Sequence, residues 1–154
     1  MKHMKFKSVR FNNRKKVFNL TYTSGLEVEC PYSALAIDKK VIEAGPDPEV
    51  GYHSFYLKLE NGEIDYVPFD QPLHIVKNPD YLRSEAISKM THEVKDMYEE
   101  KNISKREIAR RMNTSVTQIN RLLDINNFDK NLSRLIQMAA VLGYEFELSL
   151  KKVT

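Results

Sequence analysis

Thr117, Gln118, Asn120 and Arg121 lie within five consecutive positions of the stretch VTQINRLL. Their side chains are hydrogen-bonding forks and hooks. The amide of Gln118 offers a donor beside an acceptor, which matches the N6/N7 edge of adenine. The guanidinium of Arg121 offers parallel donors, which match O6/N7 of guanine. Val116 suits apolar contact with a thymine methyl group or packing against its own domain. Thr117, Gln118 and Arg121 can each instead meet a phosphate or water, so residue type alone leaves their targets open. To act together they must project from one face of a rigid element.

The surrounding residues predict that element. Ser115 is placed to cap a short helix whose inner face is Ile119, Leu122 and Leu123, leaving Val116, Thr117, Gln118, Asn120 and Arg121 outward. Just before it, Ser104 and Glu107 have the spacing of a capping box at the start of another helix. Ile108, Ala109 and Met112 fall on one face of that helix, and Ala109 is small enough to admit a close crossing. Asn113 stands where the chain must turn through left-handed geometry, which Asn tolerates. After a loop at 124–130, Asn131 can cap a further helix, LSRLIQMAAVLG. Its apolar positions are Leu132, Leu135, Ile136, Ala139 and Leu142, and Gly143 ends it.

Residues 90–150, about two fifths of the chain, resemble a lambda-repressor-like (Xre-type) helix-turn-helix domain. SKREIARRMNTSVTQINRLLD and LSRLIQMAAVLGYEFELSL are most similar to the DNA-binding halves of HicB- and HigA-type antitoxins. The resemblance implies double-stranded DNA as partner, a homodimer, and the helix of 115–123 as the major-groove reader. It implies Lys105, Ser115, Val116, Thr117, Gln118, Asn120, Arg121 and Asn127 as DNA-contact candidates. It also implies a short strand after the last helix, which YEFELSL can supply. That segment alternates Tyr144, Phe146, Leu148 and Leu150 with Glu145, Glu147 and Ser149, so it could pair with a second subunit or with the chain's own β-domain. The chain departs from the family at two positions. Asn113 replaces the usual Gly, and Lys105 replaces a frequent Gln, which turns a directional amide into a point charge suited to phosphate.

The rest of the chain reads as a separate fold. Residues 16–30 and 54–69 predict two hairpins, around Ser24-Gly25 and around a type I′ turn at Asn61-Gly62. In the second, Phe55, Leu57 and Leu59 share one face. Phe6, Val9 and Phe11 begin a strand, PYSAL makes one helical turn, and AGPDPEVG (44–51) is a loop. Asn78-Pro79 starts a long helix to about Lys101, with a stripe of Leu82, Ala86, Met90, Val94 and Met97. The expected fold class is α+β. A small β-rich domain (1–76) is followed by a long connecting helix (77–101) that is also the first helix of the next domain. A helix-turn-helix bundle (102–154) ends in a β-strand. No family resemblance extends into the β-rich part, whose sheets could form a barrel, a sandwich or an open sheet.

The net charge of +3 is unevenly spread. Residues 1–16 carry seven basic side chains and no acid, residues 17–100 carry seven basic and sixteen acidic, and residues 101–134 carry eight basic and three acidic. That pattern predicts one nucleic-acid face and a separate acidic face, the latter suited to a basic toxin protein if the chain is an antitoxin. The basic N-terminus reads either as an arm that tracks DNA or as a charged tail, with its extreme end disordered ahead of the strand that Phe6 begins. Tyr22, Tyr32, Tyr52, Tyr56 and Tyr66 are either ordinary sheet residues or a partner surface. Cys30 reads as a small buried hydrophobe on a strand. The four histidines have no metal-ligand spacing, no nucleophile–base set is apparent, and five glycines build no phosphate loop. The expectation is a cytoplasmic, non-enzymatic protein without a cofactor.

Overall fold

The computed structural model describes residues 4–153; residues 1–3 and 154 lie outside the described residues, and so does the expectation of a disordered extreme N-terminus. The described residues are mixed α and β, with two three-stranded antiparallel sheets and five α-helices. The chain divides into two units, residues 1–82 and 83–154.

The first sheet is β1 (Phe6–Asn12), β2 (Val17–Tyr22) and β3 (Glu27–Pro31), in that order. The second is β4 (Val41–Pro46), β5 (Ser54–Leu59) and β6 (Ile64–Pro68). Alternation sets the inner faces: Phe18, Leu20 and Tyr22 of β2 and Phe55, Leu57 and Leu59 of β5 are all buried. Register pairs Phe18 with Cys30 and Leu20 with Val28, so β3 adds to the same interior. Both sheets share one core with Val41, Val67 and Leu73. The edges β1 and β4 are stitched by Asn13, whose amide donates to Val41 O at 2.8 Å and accepts from Val41 N at 3.0 Å.

Both expected hairpins form, but the second turn is not type I′. Only Gly62 has a positive φ (+88°). Leu59 N donates to Glu63 O, and Gly62 N donates to Leu59 O. This is a type I turn closed by a left-handed glycine bulge, and Gly25 does the same in the first hairpin. A one-residue longer loop lets Asn61 keep a negative φ. The expected loop at 44–51 is in part strand, because Ala44, Gly45 and Pro46 pair with Leu57, Tyr56 and Phe55. Gly45 is tolerated there because the Tyr56 ring lies against it; a Cβ would meet Cε1 at 3.3 Å. A short helix, α1 (Asp70–Ile75), was not anticipated; Leu73 anchors it in the core. The basic run is no arm from residue 5 onward, since Lys7 and Arg10 are strand residues and Arg14–Lys16 form the β1–β2 turn.

Helix α2 (Pro79–Glu100) opens on Asn78, whose side chain accepts from Tyr81 N at 3.0 Å. Its first turn belongs to the β unit, because Tyr81 packs on that core and lies edge-on to His74. The first unit accordingly runs to Leu82. Of the expected stripe, Val94 is buried and Met90 and Met97 pack partly buried beside it, Leu82 is half-buried outside that core, and Ala86 is exposed. The buried side of the helix instead carries Ser84 and Thr91 with Val94, and the Thr91 hydroxyl donates to Ile87 O at 2.7 Å.

The second unit continues with α3 (Lys105–Arg111), α4 (Val116–Leu123) and α5 (Leu132–Val141). Its core joins Val94 to Ile108, Ala109, Met112, Ile119, Leu122, Leu123, Leu135, Met138, Ala139 and Leu142. Leu132, expected inside, is 43% exposed, and Met138 fills the interior instead. Leu132 is the first residue of α5 and stands at the mouth of the helix. Residues 144–153 carry no strand. The expected strand at Tyr144–Leu150 is thus corrected for a single copy: its backbone has no strand neighbour, and a strand is defined only by one.

No helix is long and apolar enough to cross a membrane among the described residues.

Candidate nucleic-acid interface

The three helices of the second unit begin alike. Ser104, Ser115 and Asn131 have extended backbones and accept a hydrogen bond from the N–H three residues on, at 3.1, 3.2 and 3.3 Å. The α3–α4 turn is as expected. Asn113 has φ +50°, its N–H donates to Arg110 O, and Thr114 N donates to Ala109 O at 2.9 Å, a Schellman closure made by Asn instead of Gly. Gly143 closes α5 in the same way. The capping box of α3 is only half formed. Ser104 serves the Glu107 N–H, but the Glu107 carboxylate turns to Arg110 (2.7 and 2.9 Å) and Arg111 (2.8 Å). Those guanidiniums, Arg110 first, pull its pKa down to about 2.

Sequence reasoning missed two further basic side chains that build this region from behind. Lys130 Nζ donates to Leu122 O (2.8 Å) and Asp124 O (2.9 Å), closing the C-terminus of α4. Burial pushes its pKa down, against an upward pull from Asp124. Arg134 donates to Met112 O at 2.9 Å, closing α3. The helix C-terminus rule for cations could have singled out Lys130 only if the loop's return path were known.

The candidate residues then separate. Thr117, Gln118, Asn120 and Arg121 are exposed on α4, while Ile119, Leu122 and Leu123 are buried behind them. Among the described residues neither Arg121 nor Arg106 has a side-chain partner, and the side-chain amide of Gln118 is likewise uncommitted. Val116 is half-buried against the helical core, so of its two readings packing is the one observed. Ser115 spends its Oγ on the cap. Lys105 donates to Asn120 Oδ1 at 2.8 Å and lies 5.9 Å from the Tyr98 ring centroid. An ammonium only donates, so this bond fixes the Asn120 amide with its NH2 turned away from Lys105. Asn127 is occupied inside its loop, donating to Arg121 O at 3.3 Å and accepting from Asp129 N at 3.2 Å. Beside α4 lies an open depression of about 870 Å³ bordered by Gln118, Arg121, Asn127, Lys130 and Arg134.

Charge follows the fold and not the sequence blocks. The β unit holds eleven basic and eleven acidic side chains, because the basic N-terminal strand joins the acidic segment. The helical unit holds thirteen and ten. The tyrosines also divide: Tyr22 and Tyr32 are buried, Tyr56 is half-buried with its hydroxyl on Glu43 (2.9 Å), and Tyr52 and Tyr66 are exposed. Cys30 is fully buried on β3, and burial pushes its thiol up to about 11, which keeps it protonated near neutrality. Among the described residues no three His, Cys, Asp or Glu side chains gather as a metal site.

Comparison of the chain with protein-family models, with characterised proteins and with solved structures finds no match.

Proposed function

We propose that the helical unit is a sequence-specific reader of double-stranded DNA, and that the protein acts as a dimeric transcriptional repressor with α4 in the major groove of each half-site. The observation that carries this reading is the state of α4. One face is locked into a core, and the other presents Thr117, Gln118 and Arg121 with their hydrogen-bonding groups uncommitted. Each good fork on a base edge discriminates by about 1–3 kcal/mol, so one helix reads too little alone and a two-fold pair is needed. Lys105, at the start of α3, is the phosphate candidate; Asn120 takes one of its three donors. Affinity selection from random duplex DNA tests the reading. An enriched palindrome is expected, and a variant with Thr117, Gln118 and Arg121 all changed to Ala should keep its fold and lose that preference. A pool that stays random, or unchanged affinity in the variant, removes α4 as the groove helix.

A second reading makes the chain an antitoxin, with the β unit blocking a toxin protein while the helical unit autoregulates. Charge does not favour it, since the β unit is neutral. Exposed Ile64 and Tyr66 on β6, at 53% and 55%, do favour a protein partner. Co-expression with a small neighbouring reading frame should then give a stoichiometric complex that Tyr66→Ala weakens.

A further inference from the structure

The segment after α5 joins features that single-copy packing leaves unexplained. Tyr144 N still serves the α5 closure by donating to Ala139 O, but the backbone from 145 to 153 makes no backbone hydrogen bond among the described residues. It has neither turn nor bend, so it runs extended. Phe146 is partly buried against the helical core, which shows which face of the segment is inward. Leu148 and Leu150 have the same parity and continue that face past the core, 70% and 103% exposed. Beside Phe146 is an apolar-lined depression of about 280 Å³, with Val94, Met97 and Ala139 in its wall. Seven residues of strand alternation, open ladder groups and uncovered leucines are what one half of an intermolecular ribbon looks like.

We infer that residues 145–151 pair antiparallel with the same residues of a second copy, in the register that sets Leu148 opposite Leu148. The side chains select this register. A two-fold axis at Leu148 places Glu145 opposite Lys151 of the other copy, twice by symmetry, so four charges meet as two complementary pairs. On the other face it places Phe146 opposite Leu150. The leucine left bare in one copy thereby comes to the side chain that borders the apolar depression in the other. Moving the axis by one residue, to Glu147, sets Glu147 against itself and Glu145 against Ser149. This loses both charge pairs and adds a like-charge contact. Moving it the other way, to Ser149, keeps two charge pairs, Glu147 with Lys151, but sets Phe146 against Lys152 and gives up its pairing with Leu150. The inference deepens the dimeric part of the proposed function but uses none of its DNA contacts.

Sedimentation of the full chain should show a dimer. Leu148→Lys sets like charges against each other at the axis and should raise the dimer dissociation constant by about 100-fold. Glu145→Lys should raise it about tenfold, since both charge pairs become repulsive, and adding Lys151→Glu should restore it. That rescue is not expected of a change that merely damages the fold. Under mild oxidation Leu148→Cys should give a covalent dimer, whereas Phe146→Cys and Leu150→Cys should not, because each stands four residues from its own copy along the ladder. A monomer at every concentration overturns the inference, as does a dimer indifferent to Leu148→Lys. A monomer with amides 145–150 protected from exchange also overturns it, in favour of pairing within the chain. A dimer that selects no DNA removes only the DNA reading; a chain that binds selected DNA as a monomer removes only the ribbon.

Discussion

In the β unit, Phe18 of one sheet meets Phe55 of the other with ring centroids 5.2 Å apart, and Phe6 bridges Tyr22 (4.7 Å) and Phe55 (5.2 Å). In the helical unit the recurrent bonds are local. Ser104, Ser115 and Asn131 each serve an N–H three residues on, while Asn113 and Gly143 close two of the helices. The first kind of structure depends on contacts distant in sequence, and the second on residue types at fixed offsets. A fold of the first kind fails abruptly when one large side chain is lost. A fold of the second kind loses stability in small steps and keeps its outward residues in place.

The sharpest break in that comparison is Phe55→Ala. Phe55 has no exposed surface and touches rings from both β1 and β2. Its truncation should cost the β unit about 3–5 kcal/mol. Amide exchange resolved by segment should show residues 6–68 losing protection while 105–141 keep theirs. Equal loss in both units would mean that they do not stabilise themselves separately.

Next in size is Lys130→Met, which keeps the apolar stem and removes the ammonium from Leu122 O and Asp124 O. The expected loss is about 1–2 kcal/mol, confined to the helical unit, because the carbonyls at the end of α4 lose both a donor and a favourable charge. Denaturant midpoints of wild type and variant, read by helical circular dichroism, measure it. Ser115→Ala removes one cap bond and should cost about 1 kcal/mol, with Ser104→Ala similar. A null effect for Ser115→Ala would show that water replaces the serine at the start of α4 without penalty.

This same difference governs what was readable beforehand. The helical unit was legible because its signals are local: Ser104, Asn113, Ser115, Asn131 and Gly143 act within a few residues of where they stand. The hairpins were legible for the same reason. What escaped depends on the return of the chain from elsewhere. Lys130 and Arg134 look like surface charges until the loop folds them onto the carbonyls of α4 and α3. Asn13 looks like a turn residue until β4 arrives beside it. The acidic middle segment looked like a face of its own until the N-terminal segment brought its lysines and arginines into the same unit. Thr91 was hidden by its polarity, although its hydroxyl needs only the carbonyl one turn back. Among the candidate contacts, the exposure of Thr117, Gln118 and Arg121 followed from helical periodicity. The commitments of Lys105 to Asn120 and of Asn127 to its own loop did not.

The smallest expected effect concerns acid. Glu107 has its pKa held at about 2 by Arg110 and Arg111, well under the ordinary 4.5. A carboxyl whose folded pKa is depressed contributes stability that is complete above its unfolded value and is lost as pH falls from about 4.5 toward 2. Arg110 and Arg111 are exposed on α3 and Glu107 is about a third exposed, so solvent screens them and the contribution is slight. Glu107→Gln should therefore change little at neutral pH and flatten the decline of helical-unit stability between pH 4.5 and 2. The gap between wild type and variant should close in about 1 M salt, where screening reaches ~3 Å. Because the same substitution frees Arg110 and Arg111, it should also strengthen salt-sensitive binding to duplex DNA of any sequence while leaving base preference as it was. A change in base preference would mean that α3 touches bases, and the division between a reading helix and a supporting one would have to be redrawn.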